Sequence, residues 1–405
     1  MLKPASFFEF LNRRVDPSFQ SFYDSAFQDK DFIDWNGHLM PYDYGDAAAE
    51  YHAIRNDCAL CDVSPMRKIR ITGADAGAFL DVLVTSPVST LAAYRAQYVI
   101  FCNTDGSLKD DAIIYKFAAE DYLLLPSDID HTPYFNSLAE SNGLHDVSFD
   151  ECTDRLAGLA LQGPQAANAA IAMGFTDIET LAPFEIQNMS VQGMEILVAR
   201  MGFTADLGYE FWLAPEYIHG FSDLITQART TRQLDIPGYG LSALEACRIE
   251  GGFVVAGWDF ATELDDTPGF DRTPYEVGLG WAVDLNAAKF VGKAALAANK
   301  GQSKYLLRRL STPSNGSFEA LEGLDIFAIF HGETRLIGSV NCATWSWGLT
   351  RTIGNASITR AYRNISEAWV ELEGEHVAVQ LQKAAFVNFD RRNQTPAPTA
   401  TDKSE

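Results

Sequence analysis

Gln97–Tyr115 reads QYVIFCNTDGSLKDDAIIY, and this stretch decides the fold. Gln97–Cys102 (QYVIFC) and Ala112–Phe117 (AIIYKF) are rich in β-branched and aromatic residues, and the segment between them carries the turn pair Asp105-Gly106. The pattern predicts two strands joined as a hairpin, with Asp110 and Asp111 at the entry to the second. A carboxylate at a strand entry can be enclosed and bind a ligand amine or N–H group, whereas the same pair also suits a solvated turn.

Outward from the hairpin, Lys68–Thr72 (KIRIT) alternates polar and apolar residues and predicts a strand. Gly73-Ala74-Asp75 then opens AGAFLDVLV, whose apolar spacing predicts an amphipathic helix. Upstream, Asp46 is placed to cap a helix over AAAEYHAIRND that ends near Cys58. Downstream, strands are expected at 121–125, 156–162, 194–201 and 208–214, interleaved with helical stretches such as Ala166–Met173. Leu241–Gly251 (LSALEACRIEG) predicts a further helix with Ser242 as its cap and Glu245 one turn before Arg248. From about residue 304, short β-rich pieces (LDIFAIFHG, RLIGSVNCATW, EAWVELEG) alternate with turns and predict a separate small β-domain. The closing TPAPTATDKSE is a polar tail expected to be unstructured.

At 405 residues, with 47% hydrophobic and 12% aromatic residues, the chain suits two or three packed globular domains. The formal net charge of −23 opposes nonspecific binding to nucleic acid or anionic lipid and favours a small-molecule role. There is no apolar run of membrane-spanning length, and MLKPASFFEFLNRRVD lacks the features of a secretory leader, so a cytoplasmic protein is expected. The six cysteines should then be thiols, and Cys58 with Cys61 forms one CxxC lacking a second pair or a nearby His. The seven His residues have no metal-ligand spacing, His52 reads as structural or surface, and no metal is expected. Walker, HExxH and GxSxG signatures are missing, as is a complete dinucleotide fingerprint.

Three further features carry chemistry. Glu210 follows Gly208-Tyr209 inside an apolar strand, where it either faces outward or pairs with ligand N–H groups in a pocket. Arg248 either forms a surface ion pair with Glu245 or offers its planar fork to a ligand carboxylate. Trp258, Trp281, Trp345 and Trp347 serve as core or interface residues, or as aromatic walls for a cationic onium group.

Taken in order, six segments resemble the glycine cleavage T-protein (aminomethyltransferase) family, which includes tetrahydrofolate-dependent demethylases such as dimethylsulfoniopropionate demethylase. They are CDVSPMRKIRITGADAGAFL from Cys61, the hairpin above, LALQGPQA, GFTADLGYEFWL, ALEACRIEGG and TPYEVGLGWAVDLNAAKFVGKAAL. The resemblance implies an α+β fold: a folate-binding body of two interwoven α/β subdomains over 1–300, a C-terminal β-barrel or jelly-roll-like domain over 301–394, and a tail over 395–405. It implies that Asp111 is the catalytic, folate-orienting carboxylate, with Tyr115 beside the folate. Met66, Tyr98 and Phe203 fall at folate-contact positions, Glu210 matches the acid that grips the pteridine N–H edge, and Arg248 matches the base facing the folate tail. Trp258 is the candidate for the donor side.

Several positions depart from the family pattern. Pro65 stands where T-proteins have His, Phe203 where they have Tyr, Ala205-Asp206 where they have Gly-Glu, and PSDID at 126–130 replaces an Asn-containing strand end. These changes touch the carbon-donor side more than the folate side, so the expectation is a demethylase. It would move a methyl group from a sulfonium, betaine or methoxy compound to N5 of tetrahydrofolate, with a small donor and the folate as its only partners. The alternative is the aminomethyltransferase of the glycine cleavage system, which requires a lipoylated carrier protein. A non-catalytic folate-binding regulator is the remaining class, although the segment YEVGLGWAVD lacks that group's K-G-C-Y-x-G-Q-E signature.

Overall fold

Strand periodicity sends alternate side chains to opposite faces, and here it builds two sheets that share one core. The computed structural model describes residues 3–12, 32–231, 235–264, 269–313 and 318–396. The tail expected to be unstructured lies outside the described residues from 397 onward. A small sheet holds β1 (Lys3–Pro4), β2 (Phe32–Trp35) and β3 (His38–Pro41). The chain then runs through β4 (Ala59–Asp62), β5 (Ile69–Thr72), β6 (Arg95–Cys102), β7 (Leu108–Ala118), β8 (Asp121–Pro126), β9 (Ser148–Glu151) and β10 (Ala157–Gln162). β11 (Ile186–Val191), β12 (Met194–Ala199) and β13 (Gly208–Leu213) complete the body's strands.

The first sheet has the order β6-β7-β8-β5-β9 and the second β11-β12-β13-β10-β4, every pairing antiparallel. Because β4 precedes the whole first sheet yet pairs with β10, the two subdomains are interwoven. Val99, Phe101, Ala112, Ile114 and Leu124 point away from the second sheet, into a core with Phe79, Leu80 and Phe135 of the Ala76–Leu83 and Thr132–Ser141 helices. Each such fully buried Ile, Leu or Phe contributes roughly 1.5–3 kcal/mol. Leu159, Leu161, Phe211 and Leu213 do the same on the far side of the second sheet, against helices Ala166–Ala172 and Ile218–Thr231. The inner faces meet in a third core that joins Ala96, Tyr115, Leu123 and Leu125 to Cys61, Ala160, Ala199 and Trp212.

The CxxC is divided by this alternation: Cys58 packs into the outer core and Cys61 into the inner one. Both are free thiols pushed up by burial, to about 12 for Cys58 and well beyond its usual range for Cys61. Gly158 lies opposite Trp212 across the β10/β13 register, and a Cβ there would stand 2.3 Å from the indole ring. A side chain at 158 would therefore expel Trp212 from the inner core.

Local signals explain the helices. The Asp46 carboxylate accepts from the Ala49 N–H at 2.9 Å and caps the helix Ala47–Asn56. Ser242 is not a cap: the N-cap of the helix Leu241–Glu250 is Gly240, two positions earlier, so Ser242 lies in its first turn. Its N–H donates to the Tyr42 carbonyl at 2.9 Å.

Beyond the body, β14 (Tyr305–Thr312), β15 (Asp325–Phe330), β16 (Glu333–Ser346), β17 (Arg351–Thr359), β18 (Glu367–Leu372) and β19 (Glu375–Gln382) close into a barrel in the order β14-β17-β16-β15-β18-β19. Closure removes the sheet edges that short strands otherwise expose. The barrel docks on the Leu241–Glu250 helix through Ile249, which packs with Cys342 and Ile353. No helix among the described residues is long and apolar enough to cross a membrane.

Candidate active site

Asp111, Ile113 and Tyr115 share one face of β7, and Tyr98, opposite Ile113 on β6, shares it with them. Tyr98 and Asp111 come together: the Tyr98 hydroxyl donates to Asp111 Oδ2 at 2.7 Å. Burial is the largest influence on Asp111 and, with the neighbouring charges of Asp110 and Asp259, pushes its carboxyl up to about 7 against the opposing Tyr98 bond. Burial and the Asp111 charge hold the Tyr98 hydroxyl well above its usual range, so it stays a donor. The exposed Trp281 ring leans on Tyr98 at a centroid distance of 5.7 Å. The pair Asp110-Asp111 is no solvated turn, because β7 starts at Leu108 and places both acids within the strand.

Tyr115, four residues along β7 from Asp111 and roughly 13 Å away at 3.3 Å per residue, reaches the second sheet. Its hydroxyl donates to Glu210 Oε2 at 2.9 Å and accepts from the Trp212 indole N–H at 3.1 Å. Burial pushes Glu210 up to about 7, while Tyr115 and Trp212 pull the other way. The Glu210 carboxyl thus receives the Tyr115 hydroxyl on Oε2 and has the Trp212 indole N–H beside it. Met66 packs beside the same inner core, in the turn that follows β4. Lys68 holds that turn: its fully buried ammonium donates to the carbonyls of Ser64 at 2.8 Å and Met66 at 2.6 Å. It also sits 5.0 Å from the Trp212 ring centroid. Burial brings its proton affinity down to about 8.

The remaining candidates stand apart from these clusters. Arg248 is fully buried where body meets barrel. Its guanidinium donates to Glu245 at 2.7–3.0 Å, to Asp259 Oδ2 at 3.1 Å and to the Phe253 carbonyl at 3.3 Å. The ion pair with Glu245 expected for a surface helix is thus present but buried, and the fork is occupied by protein acceptors. Asp259 also accepts from barrel residue Asn355 at 2.8 Å, so the network ties the two domains. Trp258 is 47% exposed, and Arg248 lies over its ring at 5.2 Å.

Phe203 is exposed and stacks on Phe253 at 5.2 Å and 18°. Its loop is clasped from the far end of the chain. Arg391 makes two bonds to Asp206, at 2.6 and 2.7 Å, and Arg392 lies 4.6 Å from the Phe253 centroid. Ala205, in the same loop, has a φ of 61°, a backbone region that favours glycine.

Trp212 was legible in principle, being two residues beyond Glu210 on the same strand face. Trp281 was among the candidate aromatic walls, whereas Asp259 and Arg391 carry no pattern that marks them, since their partners Asn355 and Asp206 are distant in sequence, and Lys68 reads only as a polar position of its strand. No group of three or more His, Cys, Asp or Glu suited to a metal occurs among the described residues.

Two interwoven sheets around an inner core that holds Glu210, with Asp111 farther along β7 and a closed barrel docked beside them, describe a mixed α/β body with a C-terminal β-barrel. A family model described as the GCVT N-terminal domain matches residues 26–287. The chain belongs to this family, and with it to the tetrahydrofolate-dependent one-carbon transferases. It is 30% identical over 361 residues to an aminomethyltransferase of Lysinibacillus sphaericus, covering 87% of this chain and 93% of that one. An aminomethyltransferase of Chlorobium limicola is 31% identical over 357 residues, 86% and 91% of the two chains. The fold matches the crystal structure of glycine cleavage system aminomethyltransferase T from Bartonella henselae, with a TM-score of 0.77 at 21% identity over 96% of this chain and 99% of that one.

Proposed function

We infer that the protein transfers an aminomethyl-type one-carbon unit to tetrahydrofolate, with Asp111 as the acting carboxyl. The observation that carries this reading is the half-buried Asp111, bonded to Tyr98 and raised to about 7, because such a group still carries a proton near neutral pH. The carbon of the carrier's S–CH2–NH2 group becomes bonded to N5 and N10 of tetrahydrofolate as its C–N and C–S bonds break, releasing ammonia and the carrier thiol, and the departing amine needs a proton. A sulfonium donor does not, since its leaving group departs neutral. The relatives favour the same choice over the demethylase expected from the donor-side substitutions, since they are aminomethyltransferases across most of the chain.

Tetrahydrofolate supplies the nucleophilic nitrogen that accepts the carbon. The residues suit it: Glu210 offers a buried carboxyl for an N–H-rich ring, and Met66 and Tyr115 provide adjoining apolar surface. In this reading Glu210, fixed by Tyr115 and Trp212, orients the ring, and Tyr98 fixes the direction in which Asp111 presents its proton. Much of the rate gain comes from this positioning in a water-poor site. The fully paired Arg248 has to exchange a protein partner before it can meet a folate tail. The aminomethyl reading adds a lipoylated carrier as partner, and six free cysteines fit a reducing, cytoplasmic setting.

Methyl transfer is the second reading. It is favoured by the departures from the T-protein pattern at Phe203, which stacks on Phe253, and at Pro65 in the Met66 turn. One mass-spectrometric assay separates the two. Purified protein is given tetrahydrofolate with either an aminomethylated lipoyl carrier or a pool of sulfonium, betaine and methoxy donors. Formation of 5,10-methylene-tetrahydrofolate from the carrier supports the first reading; 5-methyl-tetrahydrofolate from the pool, with no carrier reaction, replaces it by the second.

A further inference from the structure

Behind Asp111, on the other face of the same sheet, lies a second buried acid that the reaction as described leaves unused. Alternation turns Asp110 away from Asp111 into the aromatic core, where it is fully buried. Asp110 Oδ2 accepts from His131 Nε2 at 2.8 Å, from the Ser127 hydroxyl at 2.7 Å and from the Ser127 N–H at 3.3 Å. Asp110 Oδ1 accepts from the backbone N–H of Asp111 itself at 2.8 Å. Four donors on one side chain describe an acceptor-only group, a carboxylate.

His131 is 1% exposed, with its ring edge-on to Phe101 at 5.0 Å and stacked near Phe135 at 5.7 Å. The bond to Asp110 assigns the proton to Nε2, which leaves Nδ1 buried without a partner. Such an incompletely satisfied polar pair inside an aromatic core is costlier than apolar packing of the same volume. Its surroundings, Phe101, Phe135 and Phe79, would accept Leu or Phe in its place. What distinguishes the pair is its direct bond to Asp111.

We propose that Asp110 and His131 are positioning residues for the transfer reaction, a buried pair that anchors the Asp111 main chain and holds a fixed negative charge behind the Asp111 carboxyl. This rests on the reading of Asp111 as the acting group. Tyr98 on β6 and Asp259 in the segment after the Leu241–Glu250 helix face Asp111 from the other elements packed there. Lys109, Asp128 and, beyond Asp128, Arg67 surround Asp110, so the electrostatic setting is shared and removal of Asp110 alone tests its part. The Asp110 charge is one of the causes that raise the Asp111 carboxyl.

The test is a carboxyl titration followed by NMR on protein labelled with ¹³C at Asp side chains, with the Asp111 signal identified by its loss in Asp111→Asn. Asp110→Asn keeps an acceptor for the Asp111 N–H and lets His131 accept from the new amide through its other tautomer, so charge is removed with little change of shape. The expected result is a fall of the Asp111 midpoint by about one unit or more. His131→Leu withdraws one donor and leaves Asp110 the other three and its charge, so the Asp111 midpoint should not fall, whereas the rate of one-carbon transfer should, with His131→Gln restoring it; a full rate in folded His131→Leu removes His131 from the pair. An unchanged midpoint in folded Asp110→Asn overturns the proposal. Should that variant not fold, the unaltered protein decides, because an Asp111 that titrates in the ordinary carboxylate range is equally fatal to it. The pH profile of one-carbon transfer is recorded alongside. A shifted NMR midpoint with an unshifted rate profile leaves the pairing standing and removes Asp111 from the reaction, which separates this failure from that of the functional reading.

Discussion

Tyr115 and Glu210 belong to different sheets, and the 2.9 Å bond from hydroxyl to carboxyl, with the Trp212 indole N–H on the same hydroxyl, links them across the inner core. Tyr115→Phe leaves both Glu210 and the Trp212 N–H without their shared partner in a buried setting. The expected loss is about 1–3 kcal/mol of stability in urea titration. Tetrahydrofolate should bind about ten-fold more weakly by calorimetry, corresponding to about 1.4 kcal/mol. Unaltered affinity would remove the Tyr115–Glu210 pair from the folate site.

Asp111→Asn preserves shape and the bond from Tyr98 but carries no acidic proton. Transfer should fall at least about 100-fold, the scale of a lost general acid, while tetrahydrofolate affinity changes little. Full turnover with folate bound would falsify the assignment of Asp111.

Burial raises Asp111 and Glu210 to about 7, above the values near 4 of an unfolded chain. The folded state therefore holds these protons more tightly. Their contribution to stability is complete below about pH 4 and is lost as pH rises through about 7. For Glu210 it is on the order of 3 kcal/mol. Thermal melts between pH 5 and 8 should show a downward slope with rising pH that flattens in Glu210→Gln; an equal slope in the variant would rule out this source.

Arg248→Met distinguishes a structural cation from a ligand-binding one. Removing it strands Asp259 and Glu245 at the junction of body and barrel, and breaking a buried pair costs about 3–5 kcal/mol. Denaturant unfolding should report that loss. A variant of unchanged stability with weakened folate affinity would instead place Arg248 on the ligand.

Ala205 and Gly251 form a packing couple, since a Cβ on Gly251 would stand 2.2 Å from the Ala205 Cβ. Ala205→Gly relieves the backbone at φ 61° and should stabilise by up to about 1 kcal/mol. Gly251→Ala should destabilise strongly, and the double variant should recover much of the loss. Additive melting temperatures would contradict the contact.

The hairpin, the capped helix at Asp46 and the strand carrying Glu210 were legible because their signals are local: turn residues, caps and apolar runs. The interweaving of β4 with β10 was not, because pairing partners nearly a hundred residues apart leave no periodic trace. Asp110 and Asp111 read as one acidic pair in sequence, whereas the strand gives them opposite faces and separate surroundings. The Arg248 bond to Glu245 follows from helix spacing, but its burial does not, because Asp259, Phe253 and barrel residue Cys342 reach it from elsewhere in the chain. Ser242 illustrates the limit of cap signals, since the backbone turned at Gly240 before reaching it.

The Arg391–Asp206 clasp joins residues 185 positions apart. During synthesis the Phe203 loop leaves the ribosome long before its fastener does, so a nascent chain complete through the body still lacks that latch. Proteolytic trimming behind Phe386 would return a finished molecule to the same unlatched condition, and an affinity tag for purification is better carried at the opposite end.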